Sequence, residues 1–251
     1  MGRAKRADYA GGLFHMLNRA NGGETLFHKE ADYEAFERIL EQAKGKFEVD
    51  LFSYCLMPNH WHFVVRPRVD REMSRFAQWV ALTHTQRHHA HFETVGKGHL
   101  YQGRYKSFPI QADDHFLAVN RYVERNPLTA GLCQRAEDWR WSSLWRREAA
   151  DSAAQSLLDA WPLSYQGDYL AWVAQAFSAK EIQRMQYSIN RGAPYGAANW
   201  VETIARKYDL ESTLRSRGRP RKVPAPLQRP AVAGESASPR HDAGTPFDDR
   251  R

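Results

Sequence analysis

The chain is poor in cysteine. It has two in 251 residues, Cys55 and Cys133, and neither has a partner at CxxC spacing. A cysteine zinc site is excluded and a disulfide framework is not expected. Cys55 falls in a predicted strand and reads as a small buried residue. Long apolar runs are also missing, and no stretch approaches the roughly 20 residues that span a bilayer. A membrane is therefore not an expected partner. No apolar segment follows the basic start Met1-Gly2-Arg3-Ala4-Lys5-Arg6, so nothing resembles a secretory leader. The expected location is cytoplasmic. Acid is in short supply as well: Lys and Arg number 36 against 29 Asp and Glu, a formal net charge of +7. That balance suggests an anionic partner, with nucleic acid the usual one. A nucleoid-associated place in the cytoplasm follows. Large apolar groups become scarce after Leu214. Residues 215–222 are basic, and residues 223–251 are rich in Pro, Ala, Ser and Asp, so this tail is expected to be disordered.

What is present divides into periodic segments. Residues 12–18 read as a first strand, with Leu13, Phe14, Met16 and Leu17. Asn21-Gly22-Gly23 forms a loop. Asp32 can cap a helix in which Tyr33, Phe36, Ile39 and Leu40 share a face, and which ends near Gly45. Residues 47–57 and 60–66 are strands separated by Pro58-Asn59, a spacing that predicts an antiparallel hairpin. A second helix covers residues 73–91 and a fourth strand residues 104–110. A third helix runs to Arg125 and is expected to stop at Asn126-Pro127, since proline disfavours helix at the residue before it. The order β-α-β-β-α-β-α predicts an α+β fold: a ferredoxin-like or RRM-like antiparallel sheet with helices on one face. The other sheet face is expected to stay open for ligand. Trp139-Arg140-Trp141-Ser142-Ser143 closes this domain. Residues 149–196 are less regular, and a helical period returns over residues 199–208. The expected organisation is a domain over residues 9–145, a helical C-terminal extension over 146–214, and a basic segment with a disordered tail over 215–251.

The chemistry concentrates in Tyr54-Cys55-Leu56-Met57-Pro58-Asn59-His60-Trp61-His62-Phe63-Val64-Val65. On a strand, alternate side chains share a face. His60 and His62 therefore point one way, and Trp61, Phe63 and Val65 point into a core. Two imidazoles side by side can hold one divalent cation, and a cation so held can polarise a phosphodiester. An isolated His-X-His is more often structural, so the pair needs a third ligand and a nucleophile. The third helix offers both. Tyr122 and Asn126 are spaced i, i+4 and lie on one face, one turn apart. The Asn126 carbonyl supplies an oxygen ligand, and the Tyr122 phenol can attack phosphorus to give a covalent phosphotyrosine. The rival phenols, Tyr101 and Tyr105, have no polar partner one turn away and rank below Tyr122. His15, on the first strand, either lies near the metal or supports the sheet or contacts DNA.

These residues resemble a known family. His60-Trp61-His62 matches the His-hydrophobic-His motif of HUH single-strand endonucleases. Tyr122 and Asn126 match that family's tyrosine followed one turn later by a polar metal ligand. The chain is most similar to the IS200-type Y1 transposases, and among them to the REP-associated tyrosine transposases. Further strings carrying the resemblance are Phe14-His15-Met16-Leu17-Asn18-Arg19, Tyr101-Gln102-Gly103-Arg104-Tyr105-Lys106-Ser107, residues 121–132 and Trp139 to Ser143. The resemblance spans residues 9 to about 145. Many insertion-sequence relatives carry glutamine where this chain has Asn126, a shorter arm with the same carbonyl. The resemblance implies that His60, His62 and Asn126 hold Mg²⁺ or Mn²⁺ on a phosphate of single-stranded DNA. It implies that Tyr122 attacks to give a 5′-phosphotyrosine and a free 3′-OH. The implied substrates are palindromes extruded as hairpins, and the implied state is a monomer or a homodimer.

Arg66, Arg104 and Lys106 lie on or beside the predicted sheet, where phosphates would pass. Arg217-Gly218-Arg219-Pro220-Arg221-Lys222 resembles an AT-hook, in which arginines flanking Gly-Arg-Pro enter the narrow minor groove of A·T-rich duplex DNA. A generic basic tail is the alternative for Arg217, Arg219 and Arg221. The leading function is a DNA-cutting and rejoining enzyme. Its rivals are a non-catalytic DNA-binding protein that recognises palindromic repeats, and a metal-dependent hydrolase of small phosphoesters.

Overall fold

The computed structural model describes residues 6–148 and 156–215. The segment holding Arg217, Arg219 and Arg221, and the tail behind it, lie outside the described residues. Four strands, β1 (Leu13–Arg19), β2 (Val49–Met57), β3 (His60–Pro67) and β4 (Lys106–Ile110), form one sheet in the order β2-β3-β1-β4. All neighbouring pairs are antiparallel. Helix α1 (Glu30–Lys44) connects β1 to β2, and α2 (Glu72–His91) connects β3 to β4. This is the expected ferredoxin-like α+β sheet. Pro58-Asn59 forms the β2–β3 turn, and the Trp139–Ser143 segment pins β2, with Leu56 N–H donating to Trp141 O at 2.9 Å.

Side-chain alternation sorts the strands into two faces. One carries Phe14, Met16, Trp61, Phe63 and Val65, all fully buried, against Phe36 and Ile39 of α1 and Phe76 and Val80 of α2. The opposite face differs from the expectation of an open surface. It carries Leu13, Leu17, Phe52, Val64 and Phe108, and α3 (Asp114–Thr129) covers it with Phe116, Val119 and Val123. Such a set would cost about 25 cal/mol for each Å² left in water. The two crossover helices lie on one face, as predicted, and the third helix closes most of the other.

Helix α3 also runs further than expected, through Asn126 and Pro127 to Thr129. Proline removes one donor and crowds the preceding turn, but here only part of a turn follows. Ala130 N–H still reaches Asn126 O at 2.9 Å, and Leu132 N–H reaches Pro127 O at 2.9 Å. Asn126 stays helical, so its one-turn relation to Tyr122 is kept.

Beyond α4 (Ser143–Glu148) come α5 (Tyr169–Ala174), α6 (Ala179–Arg191), α7 (Ala198–Lys207) and α8 (Glu211–Leu214). Residues 156–215 share the core of the sheet. Met185 and Ile189 of α6 and Tyr195 join the α3 layer, and Ala205 and Leu210 join the α1–α2 layer. Tyr195 N–H donates to Pro109 O at 2.8 Å, which fastens the segment to β4. No helix among the described residues is long and apolar enough to cross a membrane.

Candidate active site

His60 and His62 lie on the α3 side of β3, where the cover of α3 ends. Their ring centroids are 5.0 Å apart, and both rings are largely buried. Each is oriented through Nδ1. His60 Nδ1–H donates to Asn59 Oδ1 at 2.6 Å. His62 Nδ1 shares a hydrogen bond of 2.9 Å with Nε2 of His15, which is itself buried and stacked on Phe108. His15 therefore supports the pair rather than contacting DNA. Burial is the main cause that holds His60 down to about 4, with the positive charge of Arg19 second. His62 is held well below its ordinary value by burial, then by His60, His15 and Arg19. The imidazoles are thus neutral at neutral pH; with Nδ1–H of His60 donating to Asn59, its Nε2 carries a lone pair, and so does Nε2 of His62 in the tautomer whose Nδ1–H donates to His15.

Tyr122 of α3 packs edge-on to His62, with ring centroids 5.9 Å apart. Burial raises its phenol, while the Arg19 charge and the Asn126 amide pull it down. Asn126 Nδ2 donates to Tyr122 O at 2.9 Å, which leaves its carbonyl oxygen free. His60, His62, Tyr122 and Asn126 line one cleft of about 800 Å³. Among the described residues, no three His, Cys, Asp or Glu side chains are grouped to hold a metal. A cation here would take two imidazoles and an amide oxygen, with water or substrate completing its shell. That donor set fits a divalent cation satisfied by nitrogen and neutral oxygen.

The sequence brings some of its other candidates here and not others. Arg104 and Lys106 line the cleft. Arg104 precedes β4 rather than lying in it. Arg66 does not reach the cleft: it sits toward the far end of β3, stacks over Phe52, and is ion-paired to Asp50 at 2.7 Å. The rival tyrosines are spent elsewhere. Tyr101 OH accepts from Trp61 Nε1 at 3.1 Å and bonds His84 Nδ1 at 2.7 Å, and Tyr105 OH bonds Ser74 Oγ at 3.0 Å.

Arg19 was missed as a candidate. It is exposed, lines the cleft, and sits opposite His60 in the β1–β3 register. Its place at the end of a strand predicted beside a His-X-His strand was the available signal. Gln186 and Asn190 of α6 were missed too, and both line the cleft. A local signal marked the helix though not its place in the site: Ser178 and Glu181 form a capping box, and Gly192 ends the helix in the left-handed region.

Residues 11–126 match the family described as Transposase IS200 like. No curated protein matches the chain. Among solved structures, a REP-associated tyrosine transposase bound to a REP hairpin is 19% identical, over 71% of this chain and 96% of that one, with a TM-score of 0.51. The likeness is one of fold. A "putative transposase from Deinococcus radiodurans R1" is 15% identical over 49% of this chain and 95% of that one, and its TM-score of 0.35 adds nothing to the argument. The matched residues hold all four strands, the histidine pair, Tyr122 and Asn126, so this chain carries a transposase domain of the IS200-like, Y1 family.

Proposed function

We propose that this transposase-family chain cuts and rejoins single-stranded DNA beside REP-like hairpins, through a 5′-phosphotyrosine on Tyr122. The convergence of His60, His62, Tyr122 and Asn126 on one cleft carries the reading. His60 and His62, through Nε2, and Asn126, through its carbonyl, would hold Mg²⁺ or Mn²⁺. Bound there, such an ion supplies electrophilic stabilisation of charge on the scissile phosphate.

The chain's own residues do the rest. Arg104 and Lys106 draw the backbone into the cleft without regard to sequence. Arg19 places a guanidinium next to the phosphate, where it stabilises added negative charge. The same charge favours the phenolate of Tyr122 against the cost of burial. The phenol oxygen forms a bond to phosphorus as the bond from phosphorus to the 3′-oxygen breaks. The phenol gives up its proton to water, and the leaving 3′-oxygen takes one from water to become a free 3′-OH. The bond energy is kept in the phosphotyrosine, so a 3′-OH can reverse the step and join strands. The fold likeness to a protein solved with a REP hairpin supports hairpin DNA as the substrate class.

The test is a denaturing gel. Labelled hairpin oligonucleotides with single-stranded flanks, incubated with the protein and Mn²⁺, should yield a covalent adduct. Tyr122→Phe removes only the hydroxyl, so it should bind and give none. An adduct from Tyr122→Phe that is lost in Tyr101→Phe or Tyr105→Phe would sink the assignment. Hairpin binding without any adduct from the unaltered protein would favour a DNA-binding protein without turnover.

A further inference from the structure

The cleft has two unlike walls. From the sheet and the loop before β4 come the cations Arg19, Arg104 and Lys106. From α6 come Gln186, Ile189 and Asn190, and none of them is charged. Gln186 and Asn190 are exposed and stand one turn apart on the same side of the helix. Their functional capacity differs. Asn190 Oδ1 accepts from Lys106 Nζ at 3.4 Å. Gln186 makes no side-chain hydrogen bond among the described residues, so its carbonyl and its amino group face the cleft uncommitted.

A cation on a cleft wall serves any nucleic acid, because every phosphate carries the same charge. A carboxamide cannot neutralise a phosphate. It offers one acceptor and a two-proton donor side by side, which is the complement of the adenine N6 and N7 edge. In single strands, base edges are free of pairing and can be read directly. The wall is also fixed in place. Met185 and Ile189 anchor α6 in the core, and Ser178 and Glu181 cap its start. Glu181 approaches Arg121 of α3 to 3.6 Å, and Arg191 donates to the carbonyls of Ser212 and Arg215. A reader on a rigid helix loses little freedom on binding.

We propose that Gln186 is a specificity-determining residue that reads an unpaired adenine beside the scissile phosphate, with Asn190 positioning Lys106 for the adjacent backbone. The inference rests on the reading that single-stranded DNA enters this cleft. It goes beyond the matched transposase domain, because α6 lies outside residues 11–126.

The probe is a pool of hairpin oligonucleotides randomised at every single-stranded position beside the stem. Immobilised Tyr122→Phe protein binds the pool without cutting it, and the bound fraction is sequenced. One position should be enriched in adenine about tenfold over the other bases, in line with a bidentate amide contact. Adding Gln186→Ala should flatten that position and leave the others unchanged. Adding Gln186→Glu, which accepts from the cytosine amino group, should move the preference there to cytosine. Adenine enrichment that survives both changes overturns the proposal. So does a parent profile with no base preference, and so does an equal loss of binding across all sequences. Adduct formation by the unaltered protein is read separately. Its absence would defeat the nuclease reading while leaving the binding profile to decide the role of Gln186.

Discussion

His15 is one fully buried side chain on which the geometry of another depends. Its Nε2 is the hydrogen-bond partner of His62 Nδ1, and its ring stacks on Phe108 with centroids 4.8 Å apart. Supporting groups of this kind typically change metal affinity ten- to hundredfold when removed. His15→Phe keeps the stack and deletes the partner. It should raise the Mn²⁺ concentration needed for half-maximal cleavage by about that factor, with near-UV circular dichroism unchanged. An unaltered Mn²⁺ titration would reduce His15 to packing. A second buried imidazole works on stability. Burial holds His84 down to about 3, with His88 a smaller cause, and its Nδ1 bonds Tyr101 OH. The unfolded chain takes up this proton near the ordinary value of 6.5, and the folded chain only near 3. Between those values the unfolded state binds more protons, so stability falls as pH falls. At pH 5 the loss from this one group is about 2 kcal/mol relative to pH 7.5. His84→Gln keeps a polar partner for Tyr101 and cannot titrate. Urea unfolding at the two pH values should show a drop smaller by about that amount, and an equal drop would place the pH sensitivity elsewhere.

Among the elements, those legible in the sequence are those whose apolar period meets a partner nearby in the chain. The β2–β3 hairpin reads clearly because Pro58-Asn59 and the alternation of Trp61, Phe63 and Val65 agree. The face shared by His60 and His62 then follows from strand geometry alone. Helix α3 was legible as far as Arg125, and its last turn, through Asn126 and Pro127 to Thr129, was not. The local rule against helix before proline is outweighed by the packing of Pro127, which is buried, and by the Asn126 and Pro127 carbonyls finding donors in the next turn. Helix α6 was not legible as part of the site. Its position depends on contacts from Met185 and Ile189 to strands far back in the sequence, which no local pattern reports. Gly192 makes that dependence testable. It ends α6 at φ +70, and a Cβ there would stand 3.3 Å from the carbonyl oxygen of Ser107 in β4. Gly192→Ala should cost about 1–2 kcal/mol from the left-handed backbone. Because the clash displaces α6 against β4, it should also lower cleavage more than it lowers total DNA binding. Unfolding curves and a cleavage-to-binding ratio check the two parts, and a stability loss with the ratio unchanged would separate α6 from the site.

At the scale of the whole molecule, two separate groups of cations stand out in a chain of net charge +7. Arg19, Arg104 and Lys106 line the cleft. Arg217, Arg219, Arg221 and Lys222 belong to the basic segment outside the described residues. The first group would act on a strand held in the cleft. The second, if it enters duplex minor grooves as the AT-hook resemblance implies, acts on a different part of the substrate. The two contributions differ in their response to salt. Each phosphate neutralised on a duplex steepens the fall of log affinity with log salt by about 0.9, and on a single strand by about 0.7. Ending the chain after Arg215 leaves the compact unit of residues 1–215 whole, so its unfolding midpoint should not move. The truncation should flatten the salt slope by about 3 to 4 for a hairpin with a long A·T stem, if all four cations touch it. For a single-stranded oligonucleotide that fills only the cleft, the slope should hardly change. A G·C stem separates the remaining cases. If full-length protein prefers the A·T stem and the truncated protein does not, the segment reads groove shape. If both stems lose the same slope, it is a basic tail that follows charge alone. If neither slope changes, the segment does not touch DNA, and the affinity of the chain belongs to the cleft.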